Sequence, residues 1–108
     1  MTDLTKLKDL LKNEVIDTAL DDWLGLYEII WALNSLAPDV TQVEKRSLAA
    51  EVARELIKEP RFQLVRVRWS IPKSEVPLAR DQETMLEEPS SWDPPSEGEE
   101  YLAITAVA

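Results

Sequence analysis

Residues 21–37, DDWLGLYEIIWALNSLA, decide how this chain folds. At about 100° per residue, a helix over 22–37 leaves one narrow face of small or polar side chains: Asp21, Gly25, Glu28, Ala32 and Ser35. Trp23, Leu24, Leu26, Tyr27, Ile29, Ile30, Trp31, Leu33 and Leu36 spread round the remaining arc, interrupted only by Asn34. An apolar arc that wide marks a helix packed by neighbours on several sides. Asp21 and Asp22 offer an N-cap and negative charge where the helix dipole favours it, and Pro38 stops the element. Trp23, Tyr27 and Trp31 recur every four residues, as a stacking platform for bases or a sugar would require. Inside so apolar a helix the same spacing reads first as core.

Before this helix, Thr2 can cap another whose apolar residues Leu4, Leu7, Leu11, Val15 and Ala19 recur at steps of three and four, with Asn13 a point where it could divide. After it, Thr41-Gln42-Val43-Glu44 has the form of a capping box. It opens a third helix with Leu48, Ala49, Val52, Ala53, Leu56 and Ile57 inward, ended by Glu59-Pro60. Phe62 to Trp69, FQLVRVRW, alternates as a strand: Val65, Val67 and Trp69 on one face, Phe62, Leu64, Arg66 and Arg68 on the other. Tyr101 to Val107 is a second strand, and the two are expected to pair antiparallel because each alone would leave unpaired backbone. Five of the seven prolines fall between the strands. There, 80–88 can form a short helix with Met85 and Leu86 inward, Trp92 can pin the segment to the core, and 92–98 reads as a turn-rich loop.

The expected fold is therefore α+β, with three helices packed on a small antiparallel sheet. One domain is expected over 1–108, the size of a single core: a helical region over 1–59, a strand pair 62–69 and 101–107, and an acidic, proline-rich excursion 70–100.

Composition removes whole classes of chemistry. The 108 residues contain no cysteine and no histidine, so thiolate nucleophiles, imidazole bases and Cys/His zinc sites cannot be built from this chain. Gly25 and Gly98 are its only glycines, too few for a phosphate-cradling loop or a dinucleotide fingerprint. No apolar run approaches the roughly 18 residues of a membrane span, and acids and bases mix from the third residue, unlike a secretory signal. A cytoplasmic protein is expected, with no cofactor and no membrane partner.

The formal charge of −9 is uneven. Residues 1–73 carry twelve acids and eleven bases, whereas 74–108 carry nine acids and only Arg80. Between Arg54 and Lys73 the bases dominate. An acidic segment on a small protein favours a basic partner, because complementary fields speed encounter and set specificity. The candidate binding residues are Glu87, Glu88, Asp93, Glu97, Glu99 and Glu100. Glu87 with Glu88, and Glu99 with Glu100, could also serve as acid–base pairs or oxygen ligands for a hard cation. Their spacing fixes no coordination geometry, so solvated acidic surface is preferred and no enzymatic activity is expected.

Three helices followed by two strands resemble the winged-helix order. That resemblance implies a DNA-binding regulator whose third helix and wing would contact DNA through Lys45, Arg46, Arg66 and Arg68. The long apolar second helix, the roughly thirty residues in place of a short wing loop and the net acidity depart from it. The chain also resembles a loose group of small bacterial proteins with an aromatic-rich DDWLGLYEIIWAL helix and a W-x-x-P-x-x-G-E turn, here Trp92, Pro95, Gly98 and Glu99. Those motifs are structural and imply no activity. The leading expectation is a noncatalytic interaction or regulatory module of immunity or adaptor type, binding another protein in preference to nucleic acid.

Overall fold

A computed structural model describes residues 3–68, 71–75, 79–96 and 98–107. Its described elements run α1 (Leu4–Asp21), β1 (Leu24–Gly25), α2 (Leu26–Leu36), α3 (Gln42–Ile57), β2 (Phe62–Arg68), β3 (Ile71–Glu75), α4 (Ala79–Glu87), a 3-10 turn (Pro89–Trp92) and β4 (Glu100–Ala106). The class is α+β with an antiparallel sheet, as the alternation in 62–69 and 101–107 implies. Helix count and sheet extent need correction: four α-helices are present among the described residues, and the strand pair gains a neighbour on each side. The sheet order is β1-β4-β2-β3.

β2 and β4 pair along their whole length, from Phe62 opposite Ala106 to Arg68 opposite Glu100. Trp69, the seventieth residue and Thr2 lie outside the described residues. The α1 cap is Asp3, whose carboxylate accepts from the amides of Thr5 and Lys6 at 3.0 and 3.3 Å. Asn13 does not divide α1, which stays continuous for 18 residues because Leu7, Leu11, Val15 and Ala19 bury one unbroken stripe. Leu4, at the first turn, is exposed.

The central helix starts four residues later than its apolar arc suggests. Leu24 and Gly25 instead extend as β1, opposite Ile104 and Ala103 of β4, and Glu28 reaches back to accept from the Gly25 amide at 3.0 Å. Glycine is needed there for space: a Cβ on Gly25 would lie 2.5 Å from the Tyr27 ring. Leu26, Ile29 and Leu33 of α2 are fully buried with Leu11, Leu56, Leu64 and Ile104 in the principal core. A smaller apolar cluster, Val65, Val67 and Ala103 with Trp23 and Tyr101 against it, occupies the other face of the sheet.

Polar contacts lock the helices together. Asn34, which breaks the apolar arc of α2, accepts from Gln42 at 3.3 Å and from the Lys45 ammonium at 3.0 Å. Lys8 of α1 bridges Glu51 at 2.8 Å and also pairs with Glu55, while Lys12 reaches Glu55 at 3.4 Å. The hydrogen bond from Lys8 holds the Glu55 carboxyl below its ordinary 4.5, and donating to Glu51 and Glu55 pushes the Lys8 ammonium above its ordinary 10.5. A depressed carboxyl stabilises the fold above its unfolded value and loses that contribution as pH falls through the folded one. A raised ammonium stabilises below its unfolded value and loses its contribution as pH rises through the folded one. The clamp between α1 and α3 is thus complete between about pH 4.5 and 10.5. Lys8→Met is expected to flatten both limbs of a urea-midpoint profile against pH, leaving the acid limb shallower than wild type; identical profiles would refute the clamp.

Candidate interaction face

The described residues of the 70–100 excursion fold back onto the core. β3 pairs antiparallel with β2, with an irregular register between Val67 and Arg68. Further along, α4 turns Leu86 into the core and Met85 packs against it. Trp92, only 4% exposed, donates its indole N–H to the Leu86 carbonyl at 2.9 Å. Pro89 opens the 3-10 turn, where its missing N–H costs nothing. The acidic residues therefore sit on a folded platform anchored by one tryptophan.

On that platform Asp81, Glu83, Glu87, Glu88 and Asp93 are exposed. Among the described residues only Glu83 of these has an ion-pair partner, Lys58 at 3.9 Å. The helix does not favour this arrangement. Glu83 and Glu87 are like charges four residues apart, a mildly destabilising pair. Glu87 also lies in a last turn that contains no base, where the dipole disfavours an anion.

Glu99 and Glu100 have structural work. Glu99 accepts from the Ser96 amide at 2.8 Å and donates its own amide to the Ser96 carbonyl at 2.9 Å. The Ser96 hydrogen bonds hold its carboxyl below the ordinary range. Gly98 in the same turn has φ +84°, a conformation that favours glycine. Glu100 lies across from Arg68, accepts a hydrogen bond from it at 3.2 Å and forms an ion pair with Arg66 at 3.4 Å. Glu97 lies outside the described residues. Among the described residues no three acids gather closely enough to hold a metal ion, and no helix is long and apolar enough to cross a membrane.

The four bases implied by the winged-helix resemblance do not form one exposed group. Lys45 is 3% exposed and spends its ammonium on Asn34. Arg66 and Arg68 both face Glu100. Arg46 alone of the four is exposed and without an ion-pair partner among the described residues.

Arg46 opens onto a feature that the spacing of the aromatic residues concealed. A groove of about 180 Å³ runs between α2, the start of α3 and the turn after the 3-10 segment, lined by Tyr27, Ile30, Trp31, Asn34, Gln42, Arg46, Trp92, Asp93 and Pro94. Trp31, expected in the core, is 55% exposed. The reason is angular: position 31 is two residues, about 200°, from both Ile29 and Leu33, which face the core. Tyr27 meets Trp31 edge to face at 4.9 Å and Tyr101 at 5.6 Å. Burial pushes the Tyr27 and Tyr101 phenols above their ordinary range, with Glu28 adding to both. Asp93 also lines a second cavity of about 260 Å³ beside Arg66, Met85, Ser90 and Glu100.

Fold and site together describe a small α+β protein with an anchored acidic platform beside an aromatic groove. Comparison with protein-family models, curated proteins and solved structures finds no match.

Proposed function

We propose that this chain is a noncatalytic binding module whose partner is a protein with a basic surface that docks on the platform formed by α4 and the 3-10 turn. The observation that carries this reading is the placement of Glu83, Glu87 and Glu88. They project from a segment fixed by Leu86 and Trp92, where the like-charge spacing of Glu83 and Glu87 and the place of Glu87 in the last turn of α4 work against the helix. Residues kept at a cost to local stability are commonly kept for function.

The double variant Glu87→Lys/Glu88→Lys is expected to stabilise the isolated protein by roughly 0.3–1 kcal/mol, read as a raised urea midpoint. It is also expected to abolish capture of a partner that wild type retains at low salt and releases at high salt. Reversal of Asp9, Glu14 and Asp17, exposed on α1, should leave capture intact. Capture undiminished by the α4 reversal, or lost equally with the α1 reversal, would sink the reading.

A winged-helix-like DNA-binding role is the alternative, supported by the sequence of α1, α2 and α3 followed by the antiparallel pair β2 and β4. Against it stand the burial of Lys45, the neutralisation of Arg66 and Arg68 by Glu100, and the packing of α1 and α4 against α3. The field of a −9 protein also repels phosphate.

A further inference from the structure

We propose that the groove between α2, the start of α3 and Trp92–Pro94 binds an extended, proline-rich peptide carrying a basic residue. The inference rests on the protein-binding reading above and names the chemistry of the partner segment. Its first support is Trp31, a large aromatic left 55% exposed at the wall of a groove whose other apolar surfaces are Tyr27, Ile30, Trp92 and Pro94. The perpendicular rings of Tyr27 and Trp31, at 80° and 4.9 Å, make a corner rather than a flat platform. A prolyl ring fits such a corner, and the polyproline helix is already extended, so little entropy is lost on docking.

The polar rim completes the match. A polyproline helix makes no internal hydrogen bonds, so its carbonyls need donors, and Arg46 and the one Gln42 amide hydrogen not given to Asn34 supply them along the α3 side. Asp93, exposed on the opposite side and without an ion-pair partner among the described residues, offers charge complementarity to a lysine or arginine of the peptide. The surrounding negative field favours the same sign of guest. Single-stranded nucleic acid could stack on Trp31, but its phosphates would meet Asp93 and the net acidity.

The test uses the full chain and a synthetic peptide of about ten residues with a Pro-x-x-Pro core and a terminal arginine. Binding is followed by tryptophan fluorescence and by the NMR shift of the Trp31 indole N–H. Saturable binding is expected. Trp31→Ala should weaken it about thirtyfold or more, the loss typical of a central aromatic anchor. Asp93→Asn should weaken it several-fold and flatten its salt dependence, and replacing the prolines by alanine should remove it. An unchanged urea midpoint for Trp31→Ala excludes unfolding as the cause. No saturable response at millimolar peptide, binding indifferent to Trp31→Ala, or tighter binding of oligo-thymidylate than of peptide would each overturn the proposal. If the peptide fails while Glu87→Lys/Glu88→Lys abolishes partner capture, the groove inference alone is wrong. If the peptide binds while that variant still captures its partner, the acidic-platform reading alone is wrong.

Discussion

Trp92→Ala is expected to destabilise the protein by about 3–5 kcal/mol, the range for truncating a buried tryptophan. The side chain is nearly inaccessible, belongs to the principal core, and closes α4 onto the 3-10 turn through its bond to the Leu86 carbonyl. Alanine would leave a cavity and an unpaired carbonyl, and the second loss is what phenylalanine at the same position isolates. Trp92→Phe should recover most of the packing but not the hydrogen bond, costing about 1–2 kcal/mol. Urea denaturation of both variants checks the order. A Trp92→Ala midpoint equal to wild type would mean that the acidic segment is not held by this residue.

Leu33→Ala is expected to cost about 2–5 kcal/mol, whereas Trp31→Ala, two residues away, should stay within about 1 kcal/mol. Leu33 is fully buried among the three long helices and the sheet, while Trp31 stands more than half exposed at the groove. The larger side chain thus contributes less to stability, because area removed from water and not residue size sets the term. Equal effects, measured by the same denaturation, would show that α2 is rotated from the orientation described.

This pair also marks the limit of what the sequence discloses. The wide apolar arc of residues 21–37 correctly places the centre of the core, since Leu26, Ile29 and Leu33 are buried whichever neighbours arrive. It does not reveal which edge of the arc stays open, because that depends on where α1, α3 and the 3-10 turn pack. The start of α2 was hidden for a similar reason. Leu24 and Gly25 pair with Ile104 and Ala103, some eighty residues away along the chain, and no local signal announces a two-residue strand.

The candidate site was only partly legible. Charge counting finds the acidic stretch, and Met85, Leu86 and Trp92 show how it could be anchored. The separation of Glu87 and Glu88, which face solvent, from Glu99 and Glu100, which serve a turn and two arginines, follows from β2–β4 register and from Ser96. The basic centre illustrates the same point. Its bases are plain in the sequence, but the pairing of Arg66 and Arg68 with Glu100 joins residues more than thirty positions apart, and Lys45 faces inward because Asn34 is there to receive it.

The central claim, that the acidic stretch is a folded platform and not a tail, is tested most directly by native-state amide hydrogen exchange. The amides of Glu88, Ser91 and Asp93 bond to the carbonyls of Met85, Glu88 and Ser90 at 3.3, 3.1 and 3.2 Å. If the platform belongs to the core, they exchange with protection approaching that of α2, and Trp92→Ala releases them while α2 stays protected. Exchange of these three amides in the wild-type protein at the rate of an open chain would contradict the account.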